Sequence, residues 1–108
     1  LNSCDIGLST VIIKKKLITN KIKFANINTK EDYVLWLKIT LNNNTIFALK
    51  DNLTKWRKLN DSLSSSKIQK FHDGYLVYRK YMNFSLFKSF IYLMSLSFNY
   101  VLKEFKNK

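Results

Sequence analysis

From residue 84 onward, Phe84, Phe87, Ile91, Met94, Phe98, Val101 and Phe105 recur at three- and four-residue steps. That period belongs to a helix with an apolar stripe. Leu86, Phe90, Leu93 and Leu96 widen the stripe until only a narrow polar strip remains, near Lys88, Ser95, Asn99 and Lys103. Such a helix must cover its sides with something. Residues 89–102 are uncharged but number only 14, against the ~20 that a membrane span needs. Two readings stay open: packing against protein, or lying in a membrane interface with Lys88, Lys103, Lys106 and Lys108 towards anionic lipid.

The preceding segment has the same helical spacing at Ile68, Phe71, Tyr75, Tyr78 and Met82. Gly74 interrupts it at a cost of ~1 kcal/mol relative to Ala. Further upstream, Lys30 to Leu41 predicts a helix that is apolar on nearly every side and therefore buried. The triplet at 42–44, Asn-Asn-Asn, ends it. Two short stretches read as strands, the β-branched "IGLSTVII" at 6–13 and "TIFALK" at 45–50. "KKKLITN" predicts a short helical turn, and 51–66 a polar connector. The expected fold class is α/β, with two short strands, a buried helix between them and two C-terminal amphipathic helices. No internal repeat or flexible linker divides the 108 residues, which suffice for one compact unit.

Composition narrows the function classes. Lys and Arg number 19 against 7 Asp and Glu, a formal net charge of +12, which permits binding to nucleic acid or an anionic membrane. Lys, Asn, Ile, Phe, Tyr and Ser are abundant while Pro is absent and Gly occurs twice, the pattern of AT-rich codons, and the lysines are spread along the whole chain. A nucleic-acid module needs exposed aromatics between its basic residues, whereas most aromatics here fall in helix stripes. The single cysteine, Cys4, cannot form an internal disulfide and favours a reducing compartment. The chain begins with Leu and shows no secretory leader; it reads as a piece of something longer.

Chemistry-bearing motifs are few. Two glycines cannot build a phosphate-cradling loop, His72 stands alone, and no two aspartates lie one residue apart. What remains is "NTKEDYVLWLK", 28–38, where Glu31 and Asp32 sit side by side ahead of the apolar run. Asn28 or Thr29 followed three residues later by an acid is a capping-box pattern, and acids in a first turn gain ~0.3–1 kcal/mol from the helix dipole. The same carboxylates suit general-base work. Capping and catalysis are compatible.

The ordered set "DIGLSTVIIKK", "TKEDYVLWLK" and "WRKLNDSLSSSK" resembles the C-terminal half of the family 2 glycosyltransferases, bacterial enzymes of the GT-A fold, over residues 5–82. The resemblance is closest to those building surface polysaccharides and lipopolysaccharide cores. It implies a partial GT-A-type fold with 1–83 as the acceptor-side part and 84–108 as an appended amphipathic helix. It also implies that Asp32 is the base taking the acceptor's proton, with Glu31 in support. Ser9, Thr10 and Trp36 would lie on the acceptor side, and Arg57, Ser62 and Ser64 would bind the donor's diphosphate. The histidine that many relatives carry just after this arginine is replaced here by Lys58 and Leu59. The implied partners are a nucleotide sugar and a glycan or lipid-linked acceptor, with no specific nucleic acid. A divalent metal, Mg or Mn, is implied for the full-length enzyme, with no metal ligand in this chain. The implied location is the cytoplasm, at or near the inner membrane face. Without a nucleotide-binding half the chain is expected to be inactive.

Overall fold

A computed structural model describes residues 2–55 and 66–106. Three helices carry the fold: α1, Glu31–Leu41; α2, Lys67–Leu76; and α3, Leu86–Lys106. Single 3-10 turns lie at Leu8–Thr10 and Lys15–Leu17, and α2 continues into a π-helical turn at Val77–Tyr81.

Helix α1 is the centre of the molecule. Tyr33, Val34, Leu35, Trp36, Leu37 and Ile39 are all buried. One side, with Tyr33, Val34 and Leu37, packs with Val77, Tyr78, Leu93 and Leu96 from α2, its π-turn and α3. The opposite side, Leu35, Trp36 and Ile39, is covered by Ile6, Val11, Ile13 and Ile22 of the irregular N-terminal segment. An all-round apolar helix thus finds cover on both sides, as its sequence requires. The asparagine triplet stops it: Asn42 Nδ2 donates to the Lys38 carbonyl at 2.7 Å, Asn44 Nδ2 to the Ile39 carbonyl at 3.2 Å, and Asn43 takes a left-handed φ of 59°. Asn tolerates that conformation better than most residues.

The α/β expectation is overturned. No described residue forms a strand. At 6–13 the β-branched residues do hold extended backbone either side of the 3-10 turn, with Gly7 at ψ 138° and Val11 at φ −119°, ψ 137°. A strand, however, exists only through a ladder with a neighbour, and instead the segment lays Ile6, Val11 and Ile13 across α1. Residues 45–50 likewise carry no ladder, and Phe47 and Leu49 are exposed. Two strands flanking a helix are therefore replaced by irregular chain wrapped on a helix.

Helix α2 is capped by Ser66, whose Oγ accepts the Gln69 N–H at 3.2 Å. Gly74 does not break it. An added Cβ there would stand 2.9 Å from Leu93 Cδ1, so the glycine is what lets α3 approach. The π-turn buries Val77 and Tyr78 completely, and Tyr78 lies in a cluster with Phe84 and Tyr92, ring centroids 6.3 and 5.6 Å away. Such offset aromatic groupings add ~0.5–1.5 kcal/mol beyond area burial. Asn83, at φ 54°, then turns the chain into α3.

Helix α3 buries only Ser89, Leu93 and Leu96. Of the stripe read from the sequence, Phe84 packs against the core, whereas Phe87, Ile91, Met94, Phe98, Val101 and Phe105 face outward and are exposed. Because α3 is apolar nearly all round, periodicity marks a helix without saying which side is covered. The small side chain of Ser89, fully buried with its Oγ 3.5 Å from the Phe84 carbonyl, belongs to the covered side. Among the described residues no helix is long and apolar enough to cross a membrane.

Candidate functional site

Glu31 and Asp32 form the first turn of α1, both half-buried. The expected capping box is not what holds them. Lys30 is the N-cap, in the left-handed region at φ 65° and without a side-chain cap bond. Non-glycine residues adopt that conformation at a cost of ~1–2 kcal/mol, so surrounding contacts must enforce it. Thr29 supplies them. Its N–H and Oγ1–H both donate to Asp73 Oδ2, at 2.7 and 2.8 Å. Burial pushes the Asp73 carboxyl up, but the two bonds from Thr29, with further help from Gln69 and His72, outweigh it and leave the group below the usual carboxylate range. A charge on helix α2 thus pins the start of α1 across 44 residues. Nothing in the sequence marked this pair, because Thr29 read as a local cap and Asp73 lies between His72 and Gly74 in an otherwise apolar stripe.

Asp32 Oδ1 accepts the N–H of Tyr33 at 2.7 Å. Next along the helix, the Tyr33 and Tyr78 hydroxyls lie 3.2 Å apart in the core, and burial is the first cause pushing both phenols above their ordinary value. These tyrosines are structural ties between α1 and the π-turn.

Trp36 Nε1–H donates to the Ile6 carbonyl at 3.2 Å. With Cys4, Ile6, Tyr33, Thr40 and Ile46 it lines a cleft of about 220 Å³. Ser9 and Thr10 sit in the exposed 3-10 turn, where Thr10 Oγ1 donates to the Gly7 carbonyl at 2.7 Å. They are not part of that cleft's lining, so the structure groups Trp36 with the chain around Cys4 and leaves Ser9 and Thr10 apart. Arg57, Ser62 and Ser64 lie outside the described residues.

Cys4 links this region to the acid pair. The residue is exposed, yet atoms packed around its sulfur push the thiol above its ordinary value, with Lys30 pulling it down and Asp32 adding to the rise. Lys103 and Glu31 act on it as well. Lys103 itself pairs with Asp5 and reaches Ser3 Oγ at 2.6 Å. Among the described residues no three His, Cys, Asp or Glu side chains come together as a metal site requires.

The chain is 31% identical, over 80 residues, to a Bacillus subtilis (strain 168) protein named as the teichuronic acid biosynthesis glycosyltransferase TuaG; the match covers 74% of this chain and 31% of that protein. It is 38% identical, over 71 residues, to the Escherichia coli UDP-Glc:alpha-D-GlcNAc-diphosphoundecaprenol beta-1,3-glucosyltransferase WfgD, covering 64% of this chain and 27% of that one. The chain therefore spans about a third of the length of these curated relatives. It is related to glycosyltransferases over part of its length. No protein-family model matches it, and no solved structure does.

Proposed function

We propose that this chain is the acceptor-side, C-terminal part of an inverting family 2 glycosyltransferase, with Asp32 as its general base. The observation that carries the reading is the acid pair, held half-buried on the first turn of α1 by the Thr29–Asp73 clamp, within a stretch related to two glycosyltransferases. In the reaction, an acceptor hydroxyl oxygen bonds to the anomeric carbon of a nucleotide sugar as the bond to the nucleoside diphosphate breaks on the opposite face. The hydroxyl proton passes to the Asp32 carboxylate, and the diphosphate leaves with the electron pair. Glu31 orients the acceptor beside it, Trp36 borders the acceptor side, and the donor site is completed by a nucleotide-binding part together with Arg57, Ser62 and Ser64. A divalent metal would serve the diphosphate there.

The acceptor is a glycan or lipid-linked sugar, and α3 brings the enzyme to it. Its outward stripe, Phe87, Ile91, Met94, Phe98 and Phe105, is exposed, and Lys88 and Lys106 lie on the same helix. An anionic membrane surface is the occupant that suits both the stripe and the net charge of +12. The working location is then the cytoplasmic face of the membrane.

The decisive variant is Asp32→Asn, assayed in an enzyme carrying this chain with a donor-binding part. Asn keeps the size and the acceptor oxygen for Tyr33 N–H but takes up no proton. Turnover should fall by ~10²–10⁴-fold with donor binding intact. An Asp32→Asn enzyme of unchanged turnover sinks the assignment.

A further inference from the structure

Two costly features converge on the turn that bears the acid pair. The first is Lys30, held at φ 65° with no side chain capping the helix it precedes. An ordinary N-cap keeps extended backbone and bonds its side chain to the turn ahead. A non-glycine residue persists in the left-handed region only where its surroundings impose it, and such residues cluster at functional sites. The second is Asp73, 2% exposed in an otherwise apolar stripe. Burying a carboxylate is expensive, and a well-packed apolar residue in such a place is often as stable or more so. Stability alone does not account for the charge.

Its bonds show where the charge is used. Oδ2 accepts both Thr29 donors, at 2.7 and 2.8 Å. Oδ1 accepts Gln69 Nε2–H at 3.0 Å and lies 3.4 Å from His72 Nδ1. One oxygen is thus braced by α2 itself, and the other is given wholly to the residue before Lys30. Thr29, of a type that ordinarily caps its own helix, is diverted to a carboxylate on another element. With Thr29 fixed, the Lys30 backbone sets the angle at which α1 begins. The direction of Asp32 follows, its Oδ1 held in turn by the Tyr33 N–H at 2.7 Å.

We propose that Asp73 is a positioning residue of the transfer reaction: acting through Thr29 and the Lys30 backbone, it sets the orientation of the Asp32 carboxylate towards the acceptor hydroxyl. The role deepens the reading of Asp32 as general base and rests on it. A reacting group displaced by about 1 Å can lose ~10²-fold in rate, so the clamp should be felt in kcat more than in substrate binding.

The test uses the enzyme and transfer assay in which Asp32→Asn is measured, with turnover expressed per folded molecule. Asp73→Asn should lower kcat by about ten-fold or more and leave the donor KM within about two-fold. Thr29→Val keeps the N–H but loses the hydroxyl, and should lower kcat by about three-fold or more. Thr29→Ser keeps both donors and should restore kcat to within about two-fold of the parent. Val77→Ala, a cavity at a fully buried position further along the same helix, destabilises by lost packing and should leave kcat within about two-fold. A substrate-free readout comes from the 108-residue chain itself. The Tyr33 amide proton, bonded to a carboxylate, reports the setting of Asp32. Its NMR resonance should shift upfield in Asp73→Asn and Thr29→Val and stay in place in Thr29→Ser. An Asp73→Asn enzyme with the parent kcat, or an unmoved Tyr33 resonance in both variants, overturns the positioning role while Asp32 keeps its own. Where Asp73→Asn fails to fold, Thr29→Val decides by the same two readouts. An Asp32→Asn enzyme of unchanged turnover fells the base and this role with it.

Discussion

Helices α1 and α3 are written in nearly the same alphabet and meet opposite fates. Each is apolar on almost every side. Six of the 11 residues of α1 are buried, against three of the 21 in α3. The difference lies outside both helices. Irregular chain from Ile6 to Ile22 wraps the side of α1 that α2 and α3 leave open. Among the described residues nothing comparable covers the outer side of α3. Burial is thus decided by what the rest of the chain brings to a helix, and composition alone does not decide it.

The comparison breaks most readily at Tyr78, which is fully buried and in contact with both helices. Tyr78→Ala should cost about 3–5 kcal/mol, enough to leave a small domain largely unfolded in a urea titration; a near-native midpoint would mean that α1 and α3 are not joined through it. Asp73→Ala comes next. It leaves the buried Thr29 N–H and hydroxyl without their acceptor, and about 3 kcal/mol should be lost. The sign of the pH dependence follows from the same carboxylate. Its folded pKa is lowered, so the unfolded chain binds the proton more readily. The stabilisation is full above the ordinary carboxylate value of ~4, and it is lost as pH falls through the lower folded value. Asp73→Asn should therefore flatten the acid limb of a stability-against-pH curve, and an unchanged limb would remove Asp73 from the account.

A smaller effect is expected at the contact between α2 and α3. Gly74→Val must displace buried Leu93, at a cost of about 1–3 kcal/mol, readable as a lowered thermal midpoint. Smallest of all is Phe98→Ser on the outer side of α3, within about 0.5 kcal/mol in free solution. The same change should weaken flotation of the chain with anionic liposomes, and equal flotation of both forms would detach that face from the membrane reading.

These contrasts also show what the amino-acid sequence discloses. The helix from Glu31, its asparagine stop and the two C-terminal helices were legible, because each rests on local spacing or on a side chain bonding its own turn. The irregular chain at 6–13 and 45–50 was not, since β-branched residues specify extended backbone while a strand also needs a neighbour to ladder with. Which side of α3 is buried was not legible, because a nearly uniform apolar helix carries no facing signal, and Ser89 was too small to stand out. The acid pair was legible as a candidate. The Lys30 backbone and the Asp73 clamp that position it were not, as the partners are distant in sequence.

That clamp bears on the order in which the molecule assembles. Bonds within α3 join residues four apart and can close in the first moments of folding, whereas Thr29 and Asp73, 44 positions apart, meet only after the chain between them has been drawn into a loop. The turn bearing Glu31 and Asp32 is expected to be set among the last, and to be the first released when the loop reopens. Native-state hydrogen exchange reads this directly: the Thr29 amide should exchange through an opening of lower free energy than the amide of Leu93. Equal opening energies would make the acid-bearing turn and the helical core one cooperative unit.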